Sequence, residues 1–230
     1  MMLSDRELMI LAREHKLVDP FIEKNCQGAT INITLDSQVK VYNSEKPIIL
    51  GAKIPPEYYK TIDISEEEFY LQPNQSVLIQ SYEFFNIPDD MNALVYERYG
   101  VKLTGLMISP ASYMNPGYEG RLSFLAINHM DVPIRLVPGI EFSQVAIYKL
   151  TSKALKPYPK QRNASYLGSK EVNTSMLHLD YEIQEFLAGR GIEDVSNETA
   201  KELGDYLMGH IKDAAKDIAE MLRKEYKKDK

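Results

Sequence analysis

The sequence predicts a mainly β domain of sandwich or barrel type, with one short helix before it and a helical extension after it. Three observations carry this. Short β-type runs recur between residues 31 and 150, separated by turn residues and not by helices. A capped amphipathic stretch opens the chain, and an apolar period of three to four residues returns only after residue 175. The expected division is a β domain with a C-terminal arm over 1–175 and a helical extension over 176–230.

The elements follow in order. Ser4 with Glu7 three residues on is a capping box ahead of Leu8, Leu11 and Ala12, and the helix so started must end before Asp19-Pro20. Residues 76–80, 93–97, 122–128, 134–137 and 144–150 read as strands. Pro88-Asp89-Asp90, Asn115-Pro116-Gly117 and Pro138-Gly139 supply turn chemistry between them. Residues 151–175 are polar and irregular, with Pro157, Pro159 and Gly168, and read as an arm lying over a surface. Residues 180–188 suit a short helix stopped by Gly189, and Ser196 or Asn197 can cap a longer one. In the longer helix Leu203, Leu207, Ile211, Ala214, Ile218 and Met221 or Leu222 form an apolar stripe. Gly204 and Gly209 each weaken it by about 1 kcal/mol relative to alanine, so packing must hold it.

Composition narrows the function. No apolar run approaches the roughly 20 residues a spanning helix needs, so no membrane role is expected. The N-terminus lacks the features of a secretory signal, which places the expected location in the cytoplasm. A net charge of -6 argues against a sequence-independent grip on nucleic acid. Cys26 is the only cysteine and is expected to be a buried, inert thiol. The chain lacks the H-x-E and P-C-x-x-C segments of zinc-dependent base deaminases. His15, His129, His178 and His210 show no metal-ligand spacing, so no metal site is expected.

Five segments, in order, resemble the dCTP deaminases of the dCTP deaminase and dUTPase superfamily. They are MMLSDREL with Asp19-Pro20-Phe21, QGATINITL (27–35), ERYGVKLTGL (97–106), SPASYMNPGYEGRLSFLAIN (109–128) and RLVPGIEFSQVAIYKL (135–150). The resemblance covers roughly residues 1–170. It implies a distorted jelly roll or β-barrel of the dUTPase type, a homotrimer, and deoxynucleotide sites between neighbouring subunits, each closed by a C-terminal arm.

The resemblance also identifies departures. Counted from Asn115-Pro116-Gly117, the family's proton-shuttling glutamate falls on Leu125, and the water-activating aspartate of the dUTP-hydrolysing relatives falls on Asn115. Arg98 is kept in the nucleotide loop, but Tyr99 and Gly100 replace the serines and Leu103 the second arginine. Tyr99 is expected to crowd the ligand's space, and Lys102 to point away on the opposite face of a strand. Asn32 stands for an aspartate near the magnesium-bound phosphates, and Ser165-Tyr166 for a lysine and tyrosine of the arm. Nucleotide-binding candidates are therefore Arg98, Ala111, Asn115, Gln144 and Tyr166, with no catalytic residue, no metal ligand and no resident cofactor; magnesium would accompany the nucleotide if the chain were active. The expected function is a divergent nucleotide-binding or regulatory member of the superfamily. The alternatives are a deoxynucleotide enzyme with a rearranged site, and a trimeric scaffold presenting the C-terminal helices.

Overall fold

The computed structural model describes residues 1–109, 112–192 and 197–226. In chain order the elements are α1 (Asp5–His15), β1 (Val18–Asp19), β2 (Cys26–Gln27), β3 (Thr30–Thr34), β4 (Gln38–Tyr42), β5 (Tyr59–Asp63), β6 (Phe69–Leu71), β7 (Ser76–Asn86) and β8 (Met91–Glu97). They continue as α2 (Tyr99–Lys102), β9 (Leu106–Ile108), β10 (Tyr113–Met114), β11 (Glu119–Asn128), β12 (Ile134–Leu136), β13 (Glu141–Lys149), α3 (Tyr181–Ala188) and α4 (Asn197–Tyr226). One compact unit comprises Met1–Lys46, Pro55–Pro159 and Tyr166–Thr174; the other comprises Pro47–Ile54, Lys160–Ser165 and Ser175–Lys230.

In the first unit two antiparallel sheets dominate. One runs β5-β4-β7-β11-β9 with β1 also on β7, the other runs β10-β8-β13-β3-β2, and β12 pairs with β6 apart from both. Period-two alternation buries Val77, Ile79 and Phe85 from β7 and Phe124 and Ala126 from β11 on one side, and Ile33, Val145 and Ile147 on the other. The Phe124 and Phe142 rings meet edge to face at 5.2 Å across the two sheets. This is the expected mainly β jelly roll. The capping box of α1 is in place, with the Ser4 amide donating to Glu7 Oε2 at 2.9 Å, and the helix buries Leu8 and Ala12. Cys26 is buried, and burial pushes its thiol up from the ordinary value.

β7 runs on to Asn86, past the Gln80 end the sequence suggests, because Ser81 and Glu83 hold core-facing positions that read as polar breaks. Internal hydrogen bonds satisfy them. β4, β5 and β6 are not among the runs singled out from the sequence; their lysine, threonine and tyrosine positions mask the alternation. The segment after Arg98 departs from expectation. It is one helical turn, α2, and not a strand, so Lys102 does not point to an opposite sheet face: its Nζ lies 3.7 Å from Glu97 Oε2 and 5.4 Å from the Tyr99 ring centre. Tyr99 is 71% exposed.

In the second unit Asp180 caps α3, its Oδ1 accepting from the Glu182 amide at 3.0 Å, and the helix ends at Gly189 as expected. Gln184 donates to the Gly51 carbonyl at 2.9 Å. Glu202 of α4 accepts from Lys53 Nζ at 2.8 Å, with His178 Nε2 at 3.6 Å from its other oxygen. The Lys53 bond leads in holding the Glu202 carboxyl below its ordinary value, whereas burial leads in holding His178 below its own. Of the α4 stripe, Leu203 is buried while Ile211 and Ile218 are exposed. Ser196 lies outside the described residues, and Asn197 is the first residue of α4. No helix among the described residues is long and apolar enough to cross a membrane.

Candidate functional site

Arg98 follows β8 directly, and the strand on its other side in the sheet, β13, supplies its partner. The guanidinium Nη1 sits 2.6 Å from Glu141 Oε2 and donates to the Glu141 carbonyl at 3.1 Å. Asn32 of β3 donates its amide to the same Oε2 at 3.0 Å. Gln144, directly opposite Asn32 in the β13–β3 ladder, accepts from the Thr30 hydroxyl at 3.3 Å and donates to the Glu97 carbonyl at 3.2 Å. Arg98, Asn32, Glu141 and Gln144 are thus one polar cluster, and its ions are only partly shielded, with the Arg98 and Glu141 side chains 37% and 28% exposed. The partner of Arg98 is a carboxylate of its own chain.

The remaining candidates gather elsewhere. β10 pairs with β8 so that Met114 faces Ala93. Asn115 comes next, and six residues of β8, roughly 20 Å at ~3.3 Å per residue, separate its level from Arg98. The turn it opens is bound by the arm: the Tyr158 amide donates to the Pro116 carbonyl at 2.7 Å, and the Tyr158 hydroxyl accepts from the Tyr166 amide at 3.2 Å. Gly117 makes this approach feasible. Its φ is +78°, and a Cβ there would stand 3.0 Å from carbons of both Pro157 and Pro159. The structure therefore brings together Arg98 and Gln144, and separately the Asn115 turn and Tyr166. Ala111 lies outside the described residues.

Beyond Tyr166 the arm runs along β11. The Gly168 amide donates to the Glu119 carbonyl at 2.7 Å, the Arg121 amide to the Ser169 carbonyl at 2.8 Å, and the Asn173 amide to Ser123 Oγ at 2.8 Å. Lys40 Nζ donates to the Val172 carbonyl at 2.7 Å, and Val172 is buried. Leu125 is the next residue on the same face of β11 after Ser123, beside Leu78 of β7, and is 37% exposed. A hydrocarbon occupies the place the resemblance gives to a proton-transferring carboxyl. Glu119, six residues away along that face, is exposed; it is the first residue of β11 and not part of the turn itself.

Sequence reasoning missed a second set of carboxylates. Glu83 is 2% exposed, and its carboxylate accepts from the Thr34 amide at 2.9 Å and the Thr34 hydroxyl at 2.8 Å, joining the two sheets. Burial raises its pKa, while the Thr34 amide and hydroxyl act in the opposite sense. Asp36 receives Arg121 Nη1 at 2.7 Å and also the Gln80 amide. The only sequence signal for Glu83 was a polar residue at a strand position of core parity; Asp36 lies between β3 and β4, outside any strand. No three of the described His, Cys, Asp and Glu residues group to hold a metal ion.

The comparisons with known proteins agree with this architecture. A family model described as dCTP deaminase-like matches residues 2–150. The chain belongs to this family. Among curated dCTP deaminase-like relatives, the chain is 30% identical over 194 residues to "dCTP deaminase, dUMP-forming" of Dictyoglomus turgidum, covering 80% of this chain and 99% of that one. It is 31% identical over 186 residues to the protein of the same name from Clavibacter michiganensis, covering 79% and 92%. The crystal structure of 2'-deoxycytidine 5'-triphosphate deaminase from Agrobacterium tumefaciens superposes with a TM-score of 0.51 at 17% identity, covering 64% of this chain and 48% of that chain. That likeness shows the fold of the dCTP deaminase-like family.

Proposed function

We propose that this chain is a deoxynucleotide-binding member of the dCTP deaminase-like family that does not deaminate its ligand. Leu125 carries the reading. A leucine side chain neither takes nor gives a proton, and deamination without a metal requires a group that does both. The neighbouring carboxylates do not replace it: Glu119 stands six residues along the strand, and Asp36 is held by Arg121 and Gln80.

Binding is retained through two half-sites. The Arg98, Asn32 and Gln144 cluster and the Asn115 turn with Tyr166 lie too far apart on one chain to hold one nucleotide. A closed homotrimer brings one half of each subunit against the other half of its neighbour. Magnesium in this reading arrives on the nucleotide's phosphates.

The test is to titrate purified protein calorimetrically with dCTP and dUTP in magnesium, and to follow the same mixtures for product by chromatography. Saturable heat at one site per subunit without product is the expected result. Product formation that disappears in Arg98→Ala would overturn the reading. A second reading, a working enzyme with a rearranged site, is favoured by the dCTP deaminase names of the relatives. The same chromatogram separates the two.

A further inference from the structure

We infer that Glu141 is an internal competitor for the anion-binding group of this site, so that a nucleotide phosphate reaches Arg98 only by displacing the Glu141 carboxylate. The inference rests on the nucleotide-binding reading above and adds a residue that reading does not assign. Glu141 reaches Arg98 through two atoms. Its Oε2 lies 2.6 Å from Nη1, and its backbone carbonyl accepts from the same nitrogen at 3.1 Å. The carbonyl fixes where the guanidinium sits, and the carboxylate neutralises it there.

The second observation is Asn32. An amide hydrogen donated at 3.0 Å to the same Oε2 that meets Arg98 gives the carboxylate a second donor in this position. A carboxylate at position 32 would repel Glu141 at that distance, so the amide and the Glu141 carboxylate are mutually consistent. The pair is partly exposed, at 37% and 28%, and an ion pair of that kind is worth only about 0.2–1 kcal/mol. A polyanionic ligand can therefore displace the carboxylate, at the expense of part of its own affinity.

Two variants test this, Glu141→Gln and Glu141→Ser. Both keep the backbone carbonyl that positions Arg98 while removing the competing charge. Titration of dUTP and dCTP at low salt is expected to give about 1.4- to five-fold tighter binding in both variants, the range that follows from an exposed pair. The salt dependence is expected to steepen as well. In the variants the guanidinium's counter-ions come from solution, whereas in the parent protein one is tethered. A merely structural role for Glu141 would weaken binding and leave the salt dependence unchanged. Equal or weaker binding in both variants, with the parent protein binding normally, defeats this inference alone. No binding in parent or variants defeats it together with the reading it rests on.

Discussion

Two carboxylate clusters in the β domain use the same chemistry under opposite solvation. Glu83, with Thr34, is sealed between the sheets, and Asp36 with Gln80 is buried while its cation Arg121 is 27% exposed. Glu141 with Arg98 and Asn32 lies at a strand end with both ions partly in water. In the first pair of sites, removing a partner strands a desolvated polar group, which fixes the arrangement. In the second, water can replace either partner, so desolvation does not lock the ion pair. Burial, and not the identity of the residues, separates a locked acid from one whose ion pair can exchange with water.

The largest effect that would break this comparison is at Glu83. Glu83→Ala leaves the Thr34 amide and hydroxyl buried without an acceptor and is expected to destabilise the domain by about 2–3 kcal/mol, read by urea denaturation. Its pH signature has a definite sign. Because burial raises the folded-state pKa, the stability Glu83 contributes is complete below the unfolded-state value of about 4.3 and is lost as pH rises through the raised one. Glu83→Gln should remove that decline, so the variant gains on the parent protein between acidic and neutral pH in thermal melts; a constant difference would contradict it.

Arg121→Ala comes next. It removes the cation from a nearly buried Asp36 and should cost about 1–2 kcal/mol by the same denaturation measurement. A smaller effect comes from the second unit, where helix propensity rather than desolvation is the limit. Nothing lies within 4 Å of a Cβ added at Gly204, so Gly204→Ala should lengthen the lifetime of α4 helicity and stabilise by about 0.5–1 kcal/mol, read by circular dichroism melting. The smallest is Glu141→Gln, expected to change domain stability by less than about 1 kcal/mol while changing nucleotide affinity. A large loss of stability there would erase the contrast between the clusters.

Where residues obey a local rule, the sequence reading and the structure coincide. The Ser4–Glu7 box, the Asp180 and Gly189 ends of α3, and the turn at Asn115-Pro116-Gly117 each depend on neighbours within a few positions. The extension of β7 was not legible, because its core-facing Ser81 and Glu83 look like interruptions until their partners on other strands are seen. The helical turn at Tyr99–Lys102 was hidden for a related reason: four residues are too few to show a period.

By itself the sequence determined the β-rich class, the terminal helices and the family through five ordered segments. Only the tertiary structure decided that Arg98 pairs with Glu141, that Asn32 steadies that pair, and that the Asn115 turn and Tyr166 stand apart from Arg98. Periodicity and capping are set by residues a few positions apart, whereas an ion pair depends on which strands become neighbours. Arg98 and Glu141 meet across forty-three positions of sequence because β8 and β13 are adjacent in one sheet.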